Sequence, residues 1–134
     1  MRYFWPILLA MVTLTADVVI TVFGTKGNSL REGNIVVAGL WQKAGRFSFV
    51  LPVAWALLIL AIAFLLARIS QSLTLWWLYA VFAGHLIGFL SWTPLNVVKP
   101  FLASWNRWTL LAVFLFLVVI IGLVLSRLHI RYSV

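Results

Sequence analysis

Four long apolar stretches dominate this sequence, at about residues 3–23, 47–67, 73–92 and 108–126. A helix that crosses the hydrocarbon core of a bilayer needs about 20 consecutive, mostly apolar residues. Each stretch is too uniformly apolar for a strand of a membrane barrel, which alternates over about 10 residues. Because a helix satisfies its own backbone hydrogen bonds in lipid, the sequence predicts an all-α integral membrane protein. We expect a single domain over residues 1–134 with four transmembrane helices.

The composition excludes the soluble classes of protein. Charged residues make up 9% of the chain, against about 25% in an ordinary soluble domain. The chain contains no Cys, which excludes disulfides, thiolate metal sites and thiol catalysis. The net charge of +8 is scattered along the chain, so it predicts contact with anionic lipid headgroups in the bilayer and no nucleic-acid binding.

The connection between the first two spans contains a short amphipathic stretch. It runs from Ile35 to Trp41 and is followed by Gln42 and Lys43. An apolar segment of this length beside polar residues is typical of a helix that lies in the membrane interface. We therefore predict a short interfacial helix in the first loop, in addition to the four spans.

Asp17 is the one acidic residue inside a predicted span, and it lies about six residues before the end of that span. Thr13 and Thr21 lie four residues before and after it, and therefore on the same helix face. A carboxylate within a bilayer is costly and marks a functional site by default. One hypothesis is a proton or cation site. The other is a structural ion pair with a base on the same side of the membrane: Lys26, Arg31 or Arg46.

A polar cluster follows the first span and consists of Arg31, Glu32 and Asn34. Glu32 is predicted to pair with a neighbouring base or to cap the interfacial helix. Two acids fall short of the three or more ligands of a typical metal site, and His85 is predicted in a different helix at a depth of its own. The sequence therefore predicts no metal site.

The third span contains Gly84 and Gly88, and Ser91 extends this row of small residues by another turn. Such rows let helices approach closely in lipid, so we predict a packing face here with His85 beside it. His85 has a second interpretation as the axial ligand of a haem or pigment; no other cofactor is predicted. Trp55, deep in the second span, is expected to find a partner for its N–H or to face another subunit.

Residues 17–66 resemble a known family. The pattern consists of an Asp, a Thr one turn later, a Glu-x-Asn segment and an amphipathic stretch: Asp17, Thr21, Glu32-Gly33-Asn34, and a segment that ends at Gly45-Arg46. It is similar to the small prokaryotic membrane proteins of the domain of unknown function 5658, in which a Pro follows Glu-x-Asn; here Ile35 takes that position. The resemblance implies a multi-span protein, with the prokaryotic cytoplasmic membrane as its location, and implies no activity.

These features predict a non-catalytic accessory subunit of a larger membrane complex, which packs its Gly and Ala faces against other membrane subunits. The small size, the bare helices and the few ionisable groups within them favour this hypothesis. No protease, Walker or zinc-hydrolase motif argues for an enzyme. Two alternatives stay open: a small oligomeric ion or small-molecule transporter that uses Asp17, and a cofactor-carrying subunit that uses His85.

Overall fold

The computed structural model describes residues 2–25, 35–45, 49–91 and 106–132. These ranges form five helices and no strand: α1 (Phe4–Thr25), α2 (Ile35–Ala44), α3 (Val50–Ala67), α4 (Gln71–Ser91) and α5 (Arg107–Tyr132). Four of them, α1, α3, α4 and α5, are long and apolar enough to cross a membrane. The prediction of an all-α protein with four spans is therefore confirmed. A short helix, α2, does occupy part of the first loop, and its place in the interface stays a prediction.

The last helix is longer than predicted. It continues to Tyr132, whereas the sequence suggested an end near residue 126, just before Arg127. A long arginine side chain can reach the interface while its backbone stays within the membrane, so Arg127 does not end the helix. Its extension brings His129 into a helix that packs inside the bundle.

Polar side chains cap the starts of α4 and α5. Ser70 Oγ accepts the backbone N–H of Leu73 at 3.4 Å, and Asn106 Oδ1 accepts that of Thr109 at 2.8 Å. Each bond satisfies one of the four N–H groups that a helix leaves free at its start. At the other end of a helix, α2 stops at Gly45, whose φ of 52° is the left-handed conformation that glycine adopts without strain.

α1 and α4 run parallel and in register. At one end, Arg2 Nη1 donates to Gln71 Oε1 at 2.9 Å, and further along the helices Asp17 bonds to His85 at 2.9 Å. The two pairs are separated by 69 and 68 residues, so the same register holds along the contact. This arrangement follows from the topology, because the first and third spans cross the membrane in the same direction.

α4 is the central helix and packs against α1, α3 and α5. Of its span, 33% is buried, compared with 11% for α3 and for α5. Even its polar residue Thr74 is buried, because its hydroxyl donates to the carbonyl of Ser70 in the preceding turn at 2.9 Å. A core cluster joins α1, α3 and α4 and consists of Ala10, Leu14, Ile59 and Val81.

α5 approaches the backbone of α4 at Gly122. A Cβ at this glycine would lie 3.0 Å from Cβ of Ala80, 3.1 Å from its backbone N and 3.2 Å from its Cα. Close contact of this kind supplies the van der Waals attraction that holds helices together in lipid. Other parts of α5, including Ala112, are exposed, as expected for a helix that borders lipid.

Candidate functional site

Asp17 of α1 and His85 of α4 form a hydrogen-bonded pair inside the bundle. Oδ2 of Asp17 lies 2.9 Å from Nδ1 of His85. The side chain of His85 is 17% exposed and that of Asp17 is 20% exposed, so neighbouring residues cover most of both. Each lies in the C-terminal half of a membrane-spanning helix, and the parallel register of α1 and α4 brings them to the same level.

Trp55 of α3 extends this pair to three side chains, which we call the Asp17–His85–Trp55 chain. Its Nε1 donates to Nε2 of His85 at 3.1 Å. The sequence predicts a hydrogen-bond partner for the Trp55 N–H, and in the structure this partner is His85. An indole N–H is only a donor, and Nε2 must therefore accept and carries no proton. A neutral imidazole then has its proton on Nδ1 and donates it to Asp17. The hydrogen bonds thus assign one tautomer to His85 and connect three helices.

We expect Trp55→Phe to release this tautomer. The change removes the donor to Nε2, so forms of His85 with a proton on Nε2 become populated. An intramembrane hydrogen bond contributes about 0.6 kcal/mol on average, so the protein should remain folded. The 15N NMR spectrum of histidine-labelled protein measures the tautomer. The control is Trp108→Phe, because it makes the same change at a tryptophan that is 71% exposed. Identical His85 spectra in the two variants would contradict the assigned tautomer.

Gly88 provides the space that the carboxylate occupies. A Cβ at this position would lie 2.7 Å from both carboxylate oxygens of Asp17 and 2.9 Å from its Cγ. A side chain at position 88 and the present place of the carboxylate therefore exclude each other. Gly84, one turn earlier, faces α5 instead, where its Cβ would meet two side chains at an ordinary distance of 3.7 Å. The predicted small-residue face thus borders two helices, α1 at Gly88 and α5 at Gly84.

The other polar residues predicted near this site lie on the same helices. Thr13, Asp17 and Thr21 are all partly buried on α1. The Thr13 hydroxyl donates to the carbonyl of Leu9 in its own helix at 2.8 Å. Ser91 donates in the same way to the carbonyl of Gly88 at 2.6 Å. Both hydroxyls thus donate hydrogen bonds to backbone carbonyls of their own helices, which lowers the free-energy cost of placing polar groups in lipid.

The expectation that His85 lies at a depth of its own is wrong, because it bonds directly to Asp17. The sequence predicts a base of the first loop as the ion-pair partner of Asp17, whereas the described partner is a histidine of α4. A signal in the sequence pointed to it: the first and third spans run in the same direction, and the two residues lie at similar distances along them. The bases Lys26, Arg31 and Arg46, together with Glu32 and Asn34, lie outside the described residues.

The surroundings of His85 do not fit the axial ligand of a haem or pigment. Such a ligand needs a ring nitrogen with an available lone pair. Nδ1 faces Asp17, and the lone pair of Nε2 accepts the hydrogen bond of Trp55. Among the described residues, no group of three His, Cys, Asp or Glu side chains could hold a metal ion. What the arrangement can do chemically is to hold and move a proton.

A second polar contact links α4 and α5 and was not predicted. The hydroxyl of Tyr79 lies 2.8 Å from Nδ1 of His129, and Tyr79 is buried. The sequence did not suggest this contact, because the fourth span was expected to end before His129. The bond adds a polar tie between the central helix and α5 in the part of the bundle near the chain ends.

Comparisons with known proteins find no match for this chain among protein-family models, curated proteins or solved structures.

Proposed function

We propose that this protein is a small proton-coupled transporter and that Asp17 and His85 form its proton site. The supporting observation is a carboxylate and an imidazole 2.9 Å apart on two membrane-spanning helices. Ionisable side chains within spans are rare, face the bundle interior and mark ion or proton pathways. The small number of ionisable groups within the spans favours an accessory subunit, but two of these groups lie in direct contact, which favours a proton site.

The charge of the pair supports this proposal. With Nε2 accepting from Trp55, the imidazole is neutral, and an ionised Asp17 leaves one negative charge within the membrane. Such a charge costs about 2.5–3.5 kcal/mol at the centre of a helix on insertion scales. Proton uptake by the pair removes this charge. A purely structural bond between α1 and α4 needs no ionisable group at all.

The two places for that proton have different consequences for the helices. A proton on Oδ1 of Asp17 leaves both hydrogen bonds of His85 intact. A proton on Nε2 of His85 breaks the bond from Trp55, because a protonated nitrogen cannot accept. Only 11% of the α3 span is buried, and once Trp55 is released the hydrogen bond from Trp77 to the carbonyl of Ile59 at 3.1 Å still joins α4 to α3. Fewer interactions then oppose a movement of α3. Protonation is thereby coupled to the position of α3, which is what proton-driven transport requires.

We expect Asp17→Asn to abolish proton movement in a folded protein. Asn keeps the size of Asp and accepts the proton of His85 Nδ1, but its amide cannot take up a proton. Infrared difference spectra between high and low pH should contain the carboxyl band of Asp17 in the native protein; the variant should lack this band, while the band of Glu32 remains in both. In liposomes with an imposed pH gradient and an internal pH dye, proton flux should fall to the level of empty liposomes.

The matched control for this substitution is Thr15→Val. It removes a polar group from the exposed side of the same helix, where the hydroxyl donates only to the carbonyl of Met11 at 2.9 Å. We expect unchanged flux, and a melting temperature in detergent close to the native one in both variants. Full proton flux in a folded Asp17→Asn protein would contradict the proposed proton site.

An accessory subunit of a larger membrane complex is the second candidate, and one observation favours it. Asp17, His85 and Trp55 satisfy one another and tie α1, α3 and α4 together, which is also what a structural clamp does. An accessory subunit should copurify with stoichiometric partner subunits after gentle extraction. A transporter should instead form a homo-oligomer and move protons alone in liposomes, and native mass spectrometry distinguishes these assemblies.

The proposed location is the prokaryotic cytoplasmic membrane. Support for a membrane location comes from the four apolar spans. Support for the prokaryotic membrane is the resemblance of residues 17–66 to the domain of unknown function 5658 proteins. The net charge of +8 suits a bilayer with anionic headgroups.

A further inference from the structure

A groove of about 480 Å³ lies between α4 and α5, at the end of the bundle where α4 begins and α5 ends. It is separate from the Asp17–His85–Trp55 chain. Trp76 lines it and donates its indole N–H to the carbonyl of Val119 at 3.4 Å, which ties the two helices together beside the groove. The rest of the lining consists of three apolar residues, two serines and one cation: Leu73, Leu123, Ile130, Ser72, Ser126 and Arg127.

Four arginines lie at this end of the bundle, where α1 and α4 begin and α3 and α5 end. The described residues here include neither Asp nor Glu. The whole chain has two acidic residues, and one of them, Asp17, is bonded to His85 within the bundle. Within the described residues, no protein carboxylate at this end neutralises the positive charge of the four arginines: Arg2, Arg68, Arg127 and Arg131.

Arg127 differs from the other three in what it borders. Each of the others contacts a neighbouring side chain: Arg2 with Gln71, Arg68 with Phe64 and Arg131 with Tyr132. Arg127 lines the groove next to apolar residues. Because Gly122 faces Ala80 and the two helices are antiparallel, Arg127 lies about level with Leu75, in the second turn of α4. A cation at this level is close enough to the interface for its long side chain to reach a headgroup.

We propose that this groove binds an anionic phospholipid. Its phosphate would lie at Arg127 and Ser72, since a guanidinium offers paired N–H donors to phosphate oxygens. One acyl chain would lie along Leu73 and Leu123, where it covers apolar surface that faces no protein. Basic pockets between membrane helices bind anionic headgroups for this reason, and the bound lipid neutralises a charge that is costly near the membrane core.

The test compares two arginines of the same helix end. Delipidated protein in detergent is titrated with phosphatidylglycerol, and native mass spectrometry counts the bound lipid. We expect Arg127→Gln to weaken binding about five-fold, the contribution of one arginine near an anionic surface. Arg131→Gln removes the same charge outside the groove and should leave this binding nearly unchanged. Equal losses in the two variants would mean general attraction to a basic surface and would overturn the proposal.

A second pair of variants fills the groove without changing charge. Leu123→Trp should displace the acyl chain and reduce bound phosphatidylglycerol; Ile130→Trp, nearer the helix end, serves if the first variant does not fold. Phosphatidylcholine should bind more weakly than phosphatidylglycerol to the native protein. The proposal fails if both filled variants keep the lipid, if phosphatidylcholine binds as tightly, or if inorganic phosphate alone displaces phosphatidylglycerol. It also fails if Arg127→Gln changes the oligomeric state rather than lipid binding.

Discussion

Replacing Gly122 by leucine is expected to separate α5 from α4. Already the first added atom, the Cβ, would lie 3.0 Å from Cβ of Ala80 and 3.1 and 3.2 Å from backbone atoms of α4. Backbone atoms of a packed helix cannot turn away as a flexible side chain can, so the helices must move apart. Overpacking of this kind costs about 1–3 kcal/mol and occasionally more. Melting temperature and the monodisperse fraction after size-exclusion chromatography in mild detergent measure the effect.

Ala112→Leu is the matched control for this prediction. Ala112 lies in the same helix and is exposed, so the same enlargement should meet lipid and have little effect. A second-site change, Ala80→Gly, should restore part of the stability of the Gly122 variant by removing one of the three contacts. The backbone N and Cα of residue 80 remain, so the rescue should be incomplete. Equal melting temperatures for the two leucine variants would contradict the close approach.

The second large effect is expected from Gly88→Ala, which should break the Asp17–His85 pair. The added methyl would lie 2.7 Å from both carboxylate oxygens of Asp17, so the carboxylate has to leave its place. His85 then loses the acceptor for its Nδ1 proton. In the 15N NMR spectrum of histidine-labelled protein, the signal of the Nδ1-protonated tautomer should weaken or disappear. Proton flux in liposomes should fall with it if the proposed function is correct.

Gly84→Ala provides the control for this substitution, because it adds the same methyl one turn away on the same helix. Its Cβ would meet neighbouring side chains at 3.7 Å, an ordinary contact, so the His85 spectrum should not change. A double-mutant cycle sharpens the test: in an Asp17→Ala background, Gly88→Ala should cost little stability, because the carboxylate is gone. Additive stability losses in this cycle would show that the two residues do not interact.

The candidate site could be predicted only in part from the sequence. Asp17 stood out because an acid in a span is rare, and Trp55 because its N–H needs a partner. Their meeting with His85 depends on which helices are neighbours and how each is rotated about its axis. The parallel direction of the first and third spans was readable, and with it the similar level of Asp17 and His85. The sequence does not show, however, that α4 is rotated so that His85 faces α1 and α3.

The sequence by itself determined the number of spans, their helical form and their approximate lengths. A helix needs about 20 apolar residues to cross the bilayer. Within lipid, only a helix or a closed barrel satisfies the hydrogen bonds of all backbone N–H and C=O groups. In water, an apolar stripe would also show which side of each helix is inside. Here lipid is as apolar as the protein core, so all sides are alike in polarity, and van der Waals fit decides the packing.

Only the tertiary structure decided that α4 is central, that Gly122 meets Ala80, and that Gly88 makes room for Asp17. These contacts depend on shape at single atoms, such as the absence of a Cβ, and on the register between helices distant in sequence. The same holds for the extension of α5 to Tyr132, which places Arg127 beside an apolar groove. Hydropathy sets where a helix lies in the membrane, and close packing between helices sets which polar groups meet there.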